Sequence, residues 1–268
     1  MKSNSFLSRI IIGIILGILI VLAIFGPPIS LLIFISAWII IATIEFLKIL
    51  KIKEIVLNPF LTVINNLLLL VFVYLQLPLI FYLLPILTIF ITGTITKKSR
   101  SLVFVYGLFI YFYLGFLPAH LLLLKQFSLS ANFSTWLVLF PLFLTWINDT
   151  GGLLLGKLIG KHRLASEISQ NKTVEGFIGG LIFSAIFAFF YLKKFLPAHS
   201  IIILTILGII LGLLAQIGDL VESVFKREAS IKDSSGILLA HGGFLDRIDS
   251  LLFTIPVFYY YLYYTLKI

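Results

Sequence analysis

The chain has 268 residues, 60% of them hydrophobic and 12% charged, with a mean hydropathy of +1.16. A soluble domain is nearer half apolar and a quarter charged, so this composition excludes a water-soluble globular protein. The formal charge of +9 then speaks for basic residues that set topology and face anionic lipid, not for nucleic acid, and the lack of cysteine excludes disulfides and thiolate metal sites.

Apolar runs of about 20 residues, the span of a transmembrane helix, recur through the whole length. Hydropathy predicts about nine spans, near 10–25, 30–47, 60–77, 79–95, 102–122, 133–148, 174–192, 201–218 and 244–265. The expected fold class is an all-α integral membrane protein, a polytopic bundle of about nine transmembrane helices with a cytoplasmic N-terminus. No cleavable leader is expected, since Gly26-Pro27-Pro28 after the first run reads as a turn and not as a cleavage site. Pro59, Pro78, Pro118 and Pro197 fall near proposed span ends, as helix punctuation should.

With the N-terminus inside, Lys125, Lys193, Lys194 and Lys267 are the four of 20 basic residues on the far side, leaving sixteen on the cytoplasmic side. Lys125 is therefore expected to matter little for activity. The acids are polarised along the chain: only Glu45 and Glu54 precede Asp149, and the other nine of 11 lie between Asp149 and Asp249. Glu45, near the inner end of an early span, reads as snorkelling to the interface. Residues 1–125 thus read as an N-terminal transmembrane scaffold. Residues 126–268 read as a C-terminal transmembrane catalytic region with cytoplasmic loops 149–173 and 219–243. A carrier needs polar groups near the midplane of several spans, and the early spans lack them, so a transporter has little support.

Three constellations in the C-terminal region carry chemistry. Asp149 opens the first, Asn148-Asp149-Thr150-Gly151-Gly152, followed by Gly156-Lys157, Gly160-Lys161-His162-Arg163 and Lys172-Thr173-Val174-Glu175-Gly176. Small residues about four apart allow close helix packing. Lys161, Arg163 and Lys172 form either an anion clamp or a basic loop without ligand. Lys172-Thr173 enters a helix as a phosphate cradle would, although G-x-x-x-x-G-K-[ST] is absent. In the second, Asp219 and Glu222 share a face if their helix continues, with Lys226 and Arg227 one to two turns on. That set suits a divalent metal beside phosphates, since Mg²⁺ takes hard oxygen ligands. The competing reading is an ion-pair network at a helix end, and for Glu222 the two are evenly balanced.

The third is Asp246-Arg247-Ile248-Asp249, whose acids face the same way if helical. Gly242-Gly243 before it lets backbone approach a phosphate. His241 reads as a base, a ligand or a residue that fixes the loop, and Arg247 as a partner for the acids. Nucleophile-elbow, H-E-x-x-H and G-x-G-x-x-G motifs are absent.

The pattern Ser223-x-Phe225-Lys226-Arg227-x₄-Lys232-Asp233, continued by His241-Gly242-Gly243-Phe244-x-Asp246-Arg247-Ile248-Asp249, resembles the signature of the phosphatidate cytidylyltransferases, or CDP-diacylglycerol synthases. The stretch from Asp149-Thr150-Gly151 to Lys172-Thr173-x-Glu175-Gly176 resembles a second block of that family. The two blocks cover about residues 148–250, and the N-terminal half is similar in hydropathy only. This chain departs from the family pattern with Leu239-Ala240 in place of Pro-Gly, Ser235-Gly236 in place of Gly-Lys, and Ser166 and Gln170 in place of prolines.

The resemblance implies an enzyme that joins CTP and phosphatidic acid to give CDP-diacylglycerol and pyrophosphate. It implies Mg²⁺ at Asp219 and Asp246, with Asp249 a weaker candidate, and leaves open a second cation, monovalent or divalent. Asp219, Lys226, Arg227, Asp246 and Arg247 become the expected catalytic residues. Asp149, Lys161, Lys172, Thr173, Lys232, Asp233, His241, Gly242 and Gly243 become the expected substrate-binding residues. The implied partners are CTP, phosphatidic acid and membrane lipids, in a homodimer, with no nucleic acid. A CTP-dependent polyprenol or dolichol-type lipid kinase shares the need for metal and basic phosphate contacts and stays open, with a transporter behind it.

Overall fold

The structure, a computed structural model, describes residues 2–96, 100–131, 133–165, 169–235 and 242–266. In chain order the helices are α1 (Lys2–Phe25), α2 (Pro28–Ile52), α3 (Pro59–Tyr74), α4 (Leu83–Ile95), α5 (Arg100–Ile110), α6 (Leu117–Ser130), α7 (Trp136–Ile159), α8 (Val174–Phe195), α9 (Ile201–Glu228) and α10 (Asp249–Leu266). Strands β1 (Arg163–Ala165) and β2 (Ser169–Thr173) make an antiparallel pair between α7 and α8, the one sheet among the described residues. A π-helical turn, Tyr111–Phe116, joins α5 to α6 in one continuous helical stretch.

Five helical stretches are long and apolar enough to cross a membrane: Pro28–Ile52, Arg100–Ser130, Trp136–Ile159, Val174–Phe195 and Ile201–Glu228. Three shorter apolar helices, Ile12–Phe25, Pro59–Tyr74 and Leu79–Ile95, accompany them. Each of the nine spans expected from hydropathy falls on a helical segment, and the chain is an all-α multi-pass membrane protein. Large aliphatic side chains such as Leu79, Ile95 and Leu158 are strongly exposed, as a lipid solvent allows.

The helices outrun the apolar stretches. α7 continues through Asp149 to Ile159, and α9 through Asp219 to Glu228, so the expected loops 149–173 and 219–243 are helical over their first parts. The reason is packing. A Cβ on Gly176 would stand 2.7 Å from the Gly152 carbonyl oxygen, and one on Gly179 2.9 Å from that of Gly151. The glycine stripes of α7 and α8 bring the two backbones together well past the last apolar residue.

The chain forms two compact units. One takes the chain up to Gln126 together with Glu228–Ile248; the other takes Phe127–Arg227 and Asp249 onward. In the first, Trp38, Phe46, Leu69 and Leu70 are buried, and Asn66 of α3 donates to Thr43 Oγ1 (3.2 Å) while Thr88 donates to Asn65 Oδ1 (2.8 Å). Lys125 of α6 is 3% exposed, packed within its unit. In the second unit Phe140 of α7 stacks on Phe187 of α8 (5.6 Å) and meets Phe258 of α10 (4.7 Å).

Candidate active site

Within the second unit, α7, α8, α9 and the β1–β2 hairpin line a cavity of ≈ 530 Å³, a size typical of small-molecule sites. Asn148, Asp149, Lys157, Lys172, Thr173, Gln216 and Asp219 give it its polar lining. Buried Asn148 donates from Nδ2 to Ser184 Oγ (2.9 Å) and to the Gly212 carbonyl (3.2 Å), and Gln216 donates to the Phe177 carbonyl (3.0 Å). These amides cross-link α7, α8 and α9 through bonds that pure aliphatic packing would not provide. Thr173 caps α8, its Oγ1 accepting from the Gly176 N–H (3.1 Å). Glu175 in the same turn accepts from the backbone N–H groups of Lys161 (3.1 Å) and His162 (3.3 Å) and contacts His162 Nδ1 at 2.6 Å, which ties the hairpin to the helix start.

An acidic cluster stands at one side of this cavity. One carboxylate oxygen from each of Asp219, Glu222 and Asp249 lies within 4.8 Å of the others. α9 supplies Asp219 and Glu222, one helical turn apart. α10 supplies Asp249 at its first residue, because Gly218 has no side chain and the α9 backbone comes against the Asp249 carbonyl there. Glu222 and Asp249 are buried and Asp219 is half-buried. Two lysines reach in: Lys172 pairs with Asp219, and buried Lys226 donates to Glu222 Oε2 at 2.7 Å. Three carboxylates at this separation repel unless protons or cations stand among them. Hard oxygen donors on two rigid helices suit a small divalent cation.

The rest of the signature belongs to the first unit. The segment from Glu228 docks on α2, where Lys53 pairs with Glu228, and that carboxylate holds the Lys53 ammonium above the ordinary lysine value. A 3₁₀ turn over Leu245–Arg247 follows Gly242-Gly243. Asp246 Oδ2 accepts from Ser234 N (3.1 Å), Ser234 Oγ (3.1 Å) and Gly243 N (2.9 Å). Gly242 sits at φ +83°, and a Cβ on Gly243 would collide with Ser234 Oγ, so both glycines are demanded by the turn itself. Lys232, Asp233 and Arg247 are exposed, and His241 lies outside the described residues.

The structure thus brings together Asp219, Asp249, Lys172 and Lys226 of the expected site, with Asp149 and Thr173 lining the adjoining cavity. Arg227, at the end of α9, and Lys161, before β1, are exposed. Asp246 and Asp249 do not share one continuous helix, because the 3₁₀ turn ends at Arg247 and α10 begins at Asp249. Sequence reading left Glu222 evenly balanced and passed over Gln216. The i, i+3 spacing from Asp219 was the available signal for Glu222; Gln216, one turn before Asp219, carried none.

Comparison with known proteins fits this arrangement. The model of the cytidylyltransferase family matches residues 7–265, nearly the whole chain, and the chain belongs to that family. The phosphatidate cytidylyltransferase of Staphylococcus saprophyticus is 48% identical over 120 residues, 45% of this chain and 46% of that protein. That of Staphylococcus epidermidis is 45% identical over 121 residues and that of Staphylococcus aureus 48% over 122, each again covering 45% of this chain and 46% of the relative. The chain spans less than half the length of these relatives.

Proposed function

We propose that this chain is a phosphatidate cytidylyltransferase, an enzyme of phospholipid synthesis that transfers CMP from CTP to phosphatidic acid. The observation that carries the proposal is the Asp219–Glu222–Asp249 cluster beside a cavity lined by Lys172, Thr173 and Asp149. Family membership supports the nucleotidyl-transfer chemistry, and the names of the relatives support the lipid substrate.

In this reaction a phosphate oxygen of phosphatidic acid attacks the α-phosphorus of CTP. The bond to the β-phosphoryl oxygen breaks, and pyrophosphate leaves. The lipid supplies the nucleophile, so no serine, cysteine or histidine nucleophile is needed. The protein must align two anions and offset their charge. Lys172 and Lys226 supply fixed positive charge against the acidic cluster, and the start of α8, capped by Thr173, offers backbone N–H groups to an anion in the cavity. Asn148 and Gln216 hold the three helices in register around that space. Asp219, Glu222 and Asp249 fit Mg²⁺ in donor chemistry and spacing, and would hold it. Bound there, the ion would neutralise phosphate charge and stabilise the leaving pyrophosphate.

The proposal includes a cytoplasmic active site, supported by sixteen of 20 basic residues on that side, with CTP arriving from the cytosol and lipid from the inner leaflet. It also includes the homodimer implied by resemblance, which the mass of the detergent-solubilised protein would test.

Product analysis tests the reaction. Purified protein receives CTP labelled at the α-phosphate, phosphatidic acid and Mg²⁺. Label in the lipid phase with pyrophosphate released is expected. Label staying in the aqueous phase, with transfer from γ-labelled CTP to a polyprenol, would instead establish the lipid kinase.

A further inference from the structure

Glu45 lies inside α2, a membrane-spanning helix, and is fully buried. Snorkelling does not describe it. An acid buried on a membrane-spanning helix is expensive and needs a reason to be there. Its two oxygens are surrounded by donors from one segment some 190 residues away in sequence. Phe244 N donates to Oε1 at 2.9 Å and Leu245 N to Oε2 at 2.7 Å. Ser235 Oγ donates to Oε1, and Ser234 Oγ lies 3.2 Å from Oε2. That same Ser234 Oγ stands 3.1 Å from Asp246 Oδ2, and its single proton serves one carboxylate at a time.

The four groups come from both arms of one loop. Ser234 and Ser235 follow Lys232-Asp233; Phe244 and Leu245 precede Asp246-Arg247. A single carboxylate therefore clasps the two arms together and sets the start of the 3₁₀ turn that presents Asp246 and Arg247. Two further contacts fix the same segment to α2: the Trp38 ring meets Phe244 edge-on at 6.2 Å, and Lys53 pairs with Glu228. Charge-assisted hydrogen bonds of this kind are short and directional, which suits holding a geometry.

We propose that Glu45 is a positioning residue for the reaction: through its carboxylate, the membrane helix α2 holds the loop bearing Lys232, Asp246 and Arg247 in its working conformation. The proposal rests on the cytidylyltransferase reading, and the roles of those three residues are the ones that the family resemblance implies. The N-terminal helices are then part of the enzyme's precision and not only its lipid-facing frame.

Glu45→Gln tests it, because glutamine keeps the shape but turns an NH₂ group toward donors. Two quantities are measured on purified, monodisperse full-length protein: amide hydrogen exchange of the peptide containing Gly243–Leu245, and steady-state rates with CTP, phosphatidic acid and Mg²⁺. The expected result is faster exchange confined to that peptide, with peptides of α7 and α8 unchanged. With it, kcat falls about 10- to 100-fold, the scale for a mis-set catalytic group, while the KM for phosphatidic acid stays within about twofold. Unchanged exchange in folded Glu45→Gln overturns the proposal. So does faster exchange with undiminished kcat, which would make the clasp a purely structural contact. Where Glu45→Gln does not fold, Ser235→Ala removes one donor and is read the same way. A wild type that makes no CDP-diacylglycerol sinks the function reading instead, and the exchange measurement still decides whether Glu45 sets the loop.

Discussion

The two units handle buried carboxylate in opposite ways. In the first, Glu45 is surrounded by neutral donors: two backbone N–H groups and two serine hydroxyls face its oxygens. In the second, Asp219, Glu222 and Asp249 crowd one another, with Lys172 and Lys226 as the cations paired to them. A carboxylate ringed by donors is a fastener, since it is content without a ligand. Carboxylates pressed together store repulsion that a bound cation relieves, and such strain against stability marks a site kept for function.

The largest test of that contrast is Asp249→Asn. Turnover should fall about 100- to 1,000-fold, the usual loss when one preorganised charge is removed from a transition state. Thermal stability in chelator should instead rise by about 2–4 °C, since one like charge leaves the cluster. A variant that is both inactive and less stable would mean that Asp249 is a fastener like Glu45.

Next in size is Glu45→Ala, predicted to go the other way. It leaves two backbone N–H groups without their acceptor in a buried setting, at a cost of about 3 kcal/mol. Melting of the solubilised protein should drop, with or without Mg²⁺. A neutral effect would show that water or other groups replace the carboxylate easily, and the contrast between the units would collapse.

The ion gives a third, smaller effect. Mg²⁺ at about 100 times its Kd should stabilise the wild type by about 2.7 kcal/mol, and Asp249→Asn should lose most of this. Equal stabilisation of both would move the metal away from the cluster.

How much of this was legible beforehand follows from which forces leave local traces. Spans are written in runs of apolar residues, and the nine expected segments each found a helix. Their ends were not written there: α7 and α9 run on because glycine stripes and i→i−4 bonds continue across polar residues such as Asp149 and Asp219. The Asp219–Glu222 pair was visible in its spacing. Its meeting with Asp249 was not, because that depends on the close pass of Gly218 against the start of α10. Glu45 was the clearest miss. A lone acid in an apolar run reads as interfacial, and its partners at Ser234, Ser235, Phe244 and Leu245 are long-range contacts that no local pattern records.

The finest distinction lies among the basic residues that sequence placed in one clamp. Lys172 is half-buried, lines the cavity and pairs with Asp219. Lys161 is exposed, and its backbone N–H, not its side chain, is what Glu175 holds. Losing a charge-assisted contact of the first kind should raise the KM for CTP about tenfold in Lys172→Ala, equivalent to about 1.4 kcal/mol. Lys161→Ala should stay within about twofold of wild type, because an exposed lysine is screened and pays entropy to be held. Added salt should shrink the Lys161 effect further and leave most of the Lys172 effect. Equal losses at both positions would put the triphosphate over the hairpin and not inside the cavity, and would redraw the second unit's site around β1 and β2.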